Sequence, residues 1–246
     1  MTRQRLDQLL VARGLAESRA RAQALILAGS VFVAGQRRDK AGDLVPEAAA
    51  VEVRDRRPRF VSRGGEKLTT ALDAFAIDPS GLVALDVGAS TGGFTDVLLR
   101  RGAARVYAVD VGYGQLDARL RSDSRVVVLE RTNARHLSRA EVPEPVDLVV
   151  CDASFISLRT VLPAPLALTR PGAALVALIK PQFEVGKGRV GKGGVVRDPA
   201  LHEQVCAEIR AWLEAQPDWS VQGIVPSPLL GPAGNREFLI AARRAG

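Results

Sequence analysis

One segment of the chain runs from an apolar strand pattern straight into a glycine-rich turn and then into an amphipathic helix pattern. The strand pattern is LVALDV at 82–87, and GASTGGFTDVLLRRG follows at 88–102. The next apolar pattern, VYAVD, ends in Asp110, which lies 24 residues after Asp86. An acidic residue at this distance from a glycine turn is typical of a nucleotide pocket at the carboxyl end of a parallel sheet.

Strand and helix patterns alternate from residue 82 onward, which predicts a doubly wound α/β domain. The expected strands lie near 82–88, 104–110, 125–130, 146–151 and 173–179. After a last long helix pattern, a turn rich in proline and glycine separates two apolar patterns, WSVQGIVPSP and REFLIAARR. We expect these two patterns to form a hairpin at the sheet edge. Such an ending resembles that of the class I, Rossmann-like methyltransferases.

The first 67 residues carry 14 lysines and arginines against 8 acidic residues, a net charge of +6, whereas the other 179 carry a net +1. Positive charge concentrated at one end predicts a surface that docks onto a polyanion, with a solvated basic surface as the alternative. Helix patterns at 5–12 and 18–29 precede strand patterns at 30–36 and 51–54. This order resembles the small α+β S4 RNA-binding domain over residues 3–53.

The resemblance to the S4 domain implies an RNA-binding surface of basic side chains around the second helix. A helical hairpin that packs on the main domain is the alternative. A basic segment with a central proline follows, so we expect an S4-type domain at 1–54, a linker at 55–63 and a methyltransferase domain at 64–246. The residues predicted to contact RNA are Arg3, Arg5, Arg13, Arg19, Arg21, Arg63, Lys187 and Lys192.

The glycine turn has the pattern G-x-x-x-G-G, which differs from the G-x-G-x-x-G pattern of a pyrophosphate binder. The free N–H groups of the following helix can instead hold a carboxylate, such as that of S-adenosylmethionine. Asp110 is expected to accept hydrogen bonds from the ribose hydroxyls, and Asn133 to meet the adenine edge, unless Asn133 only caps its loop. The residues predicted to bind this cofactor are Asp86, Gly88, Ala89, Ser90, Thr91, Gly92, Gly93, Phe94, Asp110, Asn133 and Asp152.

Four ionisable residues fall where the predicted sheet brings strand ends together. Asp152 ends the fourth strand pattern, Lys180 ends the fifth, and Glu237 begins the last, while Lys67 lies in the first turn of a helix pattern before the sheet. Only five of the 34 basic residues are lysine, and lysine can lose its proton when buried whereas arginine does not. The four residues are therefore predicted to form a cluster that manages one proton. Helix caps, surface ion pairs or, for Lys67, a phosphate contact are the alternatives.

Six segments closely resemble the TlyA family over nearly the whole chain, namely LDVGASTGGFTDVLL, VDVGYGQL, RVVVLERTNAR, DASFISL, KPQFEVGKG and GPAGNREFL. The resemblance implies an S-adenosylmethionine-dependent ribosomal RNA 2′-O-methyltransferase with an FtsJ-like catalytic domain. It places the family's catalytic Lys-Asp-Lys-Glu set on Lys67, Asp152, Lys180 and Glu237. The short end after the last strand resembles the subtype that modifies a cytidine of the large ribosomal subunit, so large-subunit RNA is the expected partner.

The implied substrate sets the task of these residues. A ribose hydroxyl is a poor nucleophile near neutral pH, so its proton has to be removed during methyl transfer. We expect Lys180 to be the base and Asp152 to orient it, while Lys67 and Glu237 position the ribose. The two lysines of the loop VGKGRVGKGG are expected to touch phosphate or to close over the site. An exposed flexible loop is the alternative.

Composition argues against several other classes of protein. Two isolated cysteines and two histidines, His136 and His202, support neither a disulfide framework nor a metal cluster nor a Ser-His-Asp triad, so no metal is expected. No apolar run approaches the roughly 20 residues that cross a bilayer, and the N-terminus has no apolar signal core. We therefore expect a cytoplasmic protein without a membrane partner, as a monomer or weak dimer.

Three rival functions stay open at this point. The nearest is a base methyltransferase, although the segment DASF lacks the Asn/Asp-Pro-Pro-aromatic motif that usually accompanies methylation of an exocyclic amine. The second is a membrane-active haemolysin, because the family has also carried that name. The third is an RNA-binding assembly factor with a relic pocket, against which the complete Lys-Asp-Lys-Glu set argues.

Overall fold

The structure is a computed structural model that describes residues 2–54, 59–186 and 188–246. The chain forms two compact units, residues 1–58 and residues 59–246. Across the described ranges, no helix is both long and apolar enough to span a membrane.

The first unit combines two helices with short strands. Its elements are β1 (Arg3–Arg5), α1 (Leu6–Ala12), α2 (Arg19–Leu27), β2 (Val31–Val33), β3 (Gln36–Arg38), β4 (Leu44–Pro46) and β5 (Val51–Val53). Strand β1 pairs with β4, and β2 pairs with both β3 and β5, all antiparallel. Ser18 caps α2, since its hydroxyl accepts a hydrogen bond of 3.2 Å from the backbone N–H of Arg21. Leu6, Leu10 and Ile26 are fully buried between the helices and the strands.

The predicted helices of this unit are confirmed within two residues, and the strand patterns at 30–36 and 51–54 correspond to β2 and β5, although β2 ends three residues before its pattern does. The sequence pattern does not predict β1 (RQR) or β3 (QRR), whose residues are all polar, or β4 (LVP), which ends in a proline and shows no clear alternation. The α+β architecture expected from the S4 resemblance is therefore present, with more strand pairing than the pattern indicates.

The second unit is a seven-stranded sheet with helices on both faces. Its helices are α3 (Gly64–Ala74), α4 (Gly93–Arg100), α5 (Ala118–Arg121), α6 (Leu158–Val161), α7 (Pro163–Ala167), α8 (Pro181–Glu184) and α9 (Pro199–Glu214). Its strands are β6 (Val83–Val87), β7 (Arg105–Val109), β8 (Val126–Leu129), β9 (Val146–Cys151), β10 (Thr169–Ile179), β11 (Trp219–Pro226) and β12 (Phe238–Arg244). Short 3₁₀ turns lie at Ala134–His136 and Lys192–Gly194.

The strand order is β11-β12-β10-β9-β6-β7-β8. Strands β6 to β10 are parallel, whereas β12 runs antiparallel to both β10 and β11. The predicted α/β class and the hairpin at the sheet edge are confirmed. The strand order reverses between β6 and β9, and ligands of such sheets bind at this reversal.

Apolar residues fill both faces of the sheet because its parallel strands are covered by helices on each side. One face buries Leu85, Leu175 and Ile240, and the other buries Leu148 and Val176. Two details differ from the sequence pattern. Strand β10 begins at residue 169 rather than 173, with a register shift on the way, and the last strand begins one residue after Glu237.

Part of the segment expected to be a linker packs within the second unit. Phe60 is buried against Gly65 of α3, and the guanidinium groups of Arg59 and Arg100 lie 5.1 and 5.5 Å from the centre of its ring. The N–H of Val61 donates a hydrogen bond of 3.0 Å to the carboxylate of Asp96 on α4. Residues 55–58 of the expected linker lie outside the described residues.

Candidate active site

Two cavities lie side by side at the carboxyl ends of β6, β9 and β10, where the strand order reverses. Their volumes are about 290 Å³ and about 370 Å³. Gly88, Ser90, Asp152 and Ser154 line both, so the two cavities share a wall. The position is the one that open α/β sheets use for ligands.

The first cavity contains two lysine–carboxylate pairs. Lys67 Nζ lies 2.6 Å from Glu237 Oε2, and both side chains are buried. Lys180 Nζ lies 2.6 Å from Asp152 Oδ1 and donates hydrogen bonds to Ser154 Oγ at 2.8 Å and to the Asp152 carbonyl at 3.2 Å. All four residues line the same cavity, so the structure brings together the predicted Lys-Asp-Lys-Glu cluster.

Strand register explains how residues so far apart in sequence meet. Strands β10 and β12 are antiparallel neighbours in which Ile179 lies opposite Phe238. Lys180 and Glu237 therefore come one step beyond this last pair, at the same edge. Asp152 follows directly after β9, the parallel neighbour of β10 on its other side. Each position thus depends on the end of a buried strand, which holds the side chains with little freedom.

The glycine turn between β6 and α4 forms the floor of the first cavity. Gly88 has a φ of +82°, and a Cβ at this residue would lie 3.0 Å from the backbone N and Cα of Ala153. A Cβ at Gly93 would lie 2.2 Å from the hydroxyl oxygen of Ser62. The N-cap residue of α4 is Gly92, which has no side chain that could cap the helix. The N–H groups of Gly88, Ala89 and Gly92 donate within the protein, so the first turn of α4 is the part of this segment that can hold an anion.

The second cavity is bordered by Asp110 and Asn133. Asp110 accepts hydrogen bonds from the backbone N–H of Ser90 at 2.8 Å and of Gly112 at 2.7 Å, which fixes its carboxylate at the end of β7. Asn133 accepts a hydrogen bond of 3.1 Å from the N–H of Arg135, so it caps the 3₁₀ turn. Asn133 therefore caps its loop, as the alternative interpretation expected, and also lies in the cavity wall.

Nine of the eleven residues predicted to bind a cofactor line one or both cavities, and Asp86 and Gly92 do not. A Cβ at Gly92 would meet the side chains of Leu116 and Leu120, so this glycine faces the core. Its φ of +94° shapes the turn rather than the cavity wall.

Asp86 is fully buried beneath the glycine turn. One carboxylate oxygen accepts a hydrogen bond of 2.7 Å from the hydroxyl of Thr95, and the other has no hydrogen-bond partner among the described residues. Burial, opposed by the Thr95 bond and reinforced by the charge of Asp152, raises the pKa of Asp86 to about 7. A raised pKa favours the folded protein at low pH, and that stability is lost as pH rises from the unfolded value of about 4 through 7.

We therefore expect an Asp86→Asn variant without ligand to gain thermal stability relative to the wild type as pH rises from 4.5 to 7, with a constant difference at higher pH. The neutral amide keeps an acceptor for Thr95 and carries no charge to bury. Melting temperatures of both proteins across this pH range measure the difference. A difference that does not change with pH would show that Asp86 is already ionised throughout.

In the first unit, a buried carboxylate accepts hydrogen bonds from two of the arginines that are predicted to contact RNA. Asp7 is fully buried at the start of α1 and accepts hydrogen bonds from Arg5 at 3.1 and 3.2 Å, from Arg19 at 3.2 Å and from Gln23 at 3.2 Å. The Arg5 guanidinium, with the help of the other two, holds the pKa of Asp7 well below its usual range. The charge of these arginines therefore stabilises the unit itself.

Replacing Asp7 with Asn should loosen the first unit. Hydrogen bonds to a charged group contribute roughly 1.5–3 kcal/mol, so amide exchange in α1 and α2 should accelerate about tenfold or more at pH 7. The lowered pKa of Asp7 stabilises the wild type above pH 4, and this stabilisation is lost as pH falls below that value. The exchange rates of the wild type and Asp7→Asn should therefore become similar in acid. Hydrogen exchange measures this directly. Asp43→Asn is the control, since the Asp43–Arg38 pair is wider, at 3.9 Å, and partly exposed.

The other residues predicted to contact RNA have different surroundings. Arg13 donates to the backbone carbonyls of Ala49 and Glu47, so it also serves the fold of the first unit. Arg3 and Lys192 are exposed, and Arg21 is half-buried. Arg63 is exposed and lines the first cavity of the second unit. Lys187 lies outside the described residues.

Sequence reasoning missed several residues that line the cavities, and among them Ser154 contacts the lysine–carboxylate cluster. Ser154 lines both cavities and accepts a hydrogen bond from Lys180. The segment DASF contains the only available signal, since Ser154 lies two positions after Asp152 in the turn that leaves β9. A serine in a turn is common, so the pattern alone does not distinguish it.

Comparisons with known proteins agree with this fold and site. The FtsJ-like methyltransferase model matches residues 60–244, and the S4 domain model matches residues 4–51. A solved structure from Streptococcus thermophilus, named for a hemolysin, has 39% identity and a TM-score of 0.74, over 100% of this chain and 90% of its own. The chain is thus an FtsJ-like methyltransferase with an S4 domain.

Curated relatives narrow the family. The 16S/23S rRNA (cytidine-2′-O)-methyltransferase TlyA of Mycobacterium tuberculosis is 53% identical, over 98% of this chain and 90% of its own length. YqxC of Bacillus subtilis is 45% identical, over 97% and 85%. Hemolysin A of Brachyspira hyodysenteriae is 40% identical, over 96% and 98%. The chain belongs to the TlyA family, as the sequence segments predicted.

Proposed function

We propose that this protein transfers a methyl group from S-adenosylmethionine to the ribose 2′-hydroxyl of a cytidine in ribosomal RNA. The observation that carries the proposal is the pair of buried lysine–carboxylate contacts, Lys67–Glu237 and Lys180–Asp152, in one cavity beside the glycine turn. Such a cluster suits an oxygen nucleophile that must lose a proton. The TlyA relatives that act on cytidine 2′-oxygens support the choice of acceptor.

The residues around the glycine turn fit S-adenosylmethionine. The glycine backbone at Gly88 and the start of α4 at Gly92, a residue without a capping side chain, accommodate a carboxylate. Asp110 and Asn133 border the second cavity, whose volume of about 370 Å³ suits an adenosine. When bound, this cofactor supplies a methyl group on a positively charged sulfur, which is already activated for transfer.

The lysines then act on the acceptor. Lys180 Nζ accepts the proton that the ribose hydroxyl loses, and Asp152, 2.6 Å away, orients it and stabilises the ammonium that results. Lys67, neutralised by Glu237, holds the ribose at the other side of the cavity. Holding the ribose oxygen in line with the methyl carbon contributes much of the rate, because the two reactants no longer lose translational and rotational freedom during the reaction.

The S4 domain supports RNA as the partner. Residues 1–67 carry most of the net positive charge, and phosphate contacts from arginine and lysine provide affinity that depends on salt. Arg3, Arg21 and Lys192 are the predicted contacts whose side chains are not held by the internal bonds described above, and Arg63 adds a charge at the mouth of the first cavity. A ribosomal substrate implies work in the cytoplasm.

Methyl transfer to isolated ribosomal subunits tests the proposal. Protein, radiolabelled S-adenosylmethionine and 50S or 30S subunits are incubated, and the RNA is digested to nucleosides. Label in the 2′-O-methyl group of cytidine, from the large subunit first of all, is the expected result. Label on a base would replace the proposal with base methylation, and no label in either subunit would contradict it.

A further inference from the structure

Three oxygen atoms surround the ammonium of Lys180 within 3.2 Å. They are Asp152 Oδ1 at 2.6 Å, the Asp152 carbonyl at 3.2 Å and Ser154 Oγ at 2.8 Å. Lys180 itself is 7% exposed. The Asp152 carbonyl and Ser154 Oγ accept hydrogen bonds from Nζ, whereas Asp152 Oδ1 is its ion-pair partner.

Lys180 lines the first cavity, but these oxygens crowd its Nζ, and two of the residues that supply them, Asp152 and Ser154, line the same cavity. The Asp152 backbone cannot move, because it continues β9 and donates its N–H to the carbonyl of Val87 at 3.0 Å. Ser154 is the exposed partner, and its side chain lies in the wall that the two cavities share. The Ser154 hydroxyl thus lies between the two cavities and is hydrogen-bonded to Lys180, next to the place where a ribose in the first cavity would meet a methyl donor in the second.

We propose that Ser154 relays the proton of the ribose hydroxyl to Lys180, an inference that rests on the proposed function. The step starts from the amine form of Lys180, which has released one proton to solvent. The ribose oxygen bonds to the methyl carbon while the sulfur–carbon bond breaks and its electron pair stays on sulfur. The ribose O–H proton passes to Ser154 Oγ as the Ser154 proton passes to Lys180 Nζ. The ammonium so formed is paired with Asp152, and Ser154 ends as a neutral hydroxyl.

A relay moves two protons in the transition state, whereas direct transfer to lysine moves one. Single-turnover rates in mixtures of H₂O and D₂O distinguish the two cases, because two moving protons give a curved dependence on the deuterium fraction. The wild type should give a curve. Ser154→Ala should react about 100-fold more slowly, the low end of the usual effect of a general acid–base group, and give a straight line.

Two further variants separate the relay from a loss of structure. Ser154→Thr keeps the hydroxyl and should recover most of the rate with a curved dependence. Ser220→Ala removes an exposed hydroxyl on β11, far from the site in the sheet, and should leave the rate unchanged. Calorimetry should show the same affinity for S-adenosylmethionine in the wild type and Ser154→Ala.

The outcomes also separate the relay from the proposed function. Ribose label with a fast Ser154→Ala variant would overturn the relay and leave ribose methylation intact. If Ser154→Ala is slow but the wild type gives a straight line or no isotope effect, Ser154 is a positioning residue only. Label on a base in the wild type would overturn the proposed function, and the relay with it.

Discussion

A Lys180→Arg variant should lose methyl transfer to ribosomal RNA almost completely, while its affinity for S-adenosylmethionine stays close to that of the wild type. Arginine keeps the positive charge beside Asp152, but it does not give up its proton in proteins. The ribose proton then has no acceptor. General base catalysis contributes roughly 10²–10⁴-fold, so the single-turnover rate should fall by at least about a thousandfold when the misfit of the planar group is added.

Chemical rescue provides the control for this variant. Lys180→Ala leaves a space beside Asp152 that a small primary amine can enter, so added methylamine should restore part of the rate in proportion to its concentration. The same amine should do nothing for Lys180→Arg, whose side chain fills the space. If Lys180→Arg retains more than about a tenth of the wild-type rate, a loss too small for a general base, Lys180 has no role as the base.

The site could be predicted from sequence to the extent that buried strands determine it. Asp152 and Lys180 stand directly after long apolar patterns, and the ends of parallel strands meet at one edge, so their proximity follows from the fold class. Asp152 was expected to orient Lys180, but the direct contacts within the cluster could not be predicted. The Lys67–Glu237 and Lys180–Asp152 pairing depends on the register of β10 against β12 and on the turn that leaves β9.

Charge counting could not show what the arginines of the first unit contact, for a related reason. Net charge reports how many arginines a segment has but not where their guanidinium groups point. Asp7 has the sequence context of an ordinary acidic residue in the first turn of a helix, yet it is fully buried and binds Arg5 and Arg19. A buried carboxylate of this kind appears only when the packing of α1 against α2 is known.

The second large effect concerns the glycine turn. We expect Gly88→Ala to weaken cofactor binding and to slow methyl transfer together. A residue with a side chain at a φ of +82° costs about 1–2 kcal/mol. The new Cβ would also press on the N and Cα of Ala153 at 3.0 Å, and backbone atoms cannot rotate away. Asp152 and Ser154 flank Ala153, so the displacement reaches both partners of Lys180.

Gly81→Ala separates the cost of the positive φ from the effect of the contact with Ala153. Gly81 has a φ of +73°, and a Cβ there would meet no atom of the described chain within 4 Å beyond its neighbours. Both variants should lose similar thermal stability from the backbone conformation, but only Gly88→Ala should lose function, by about 100-fold if the reacting groups shift by about 1 Å. Calorimetric titration with S-adenosylmethionine and single-turnover rates measure the two effects. Equal activity in the two variants would mean that the turn tolerates a side chain beside Ala153 and that its closeness to Asp152 does not control the chemistry.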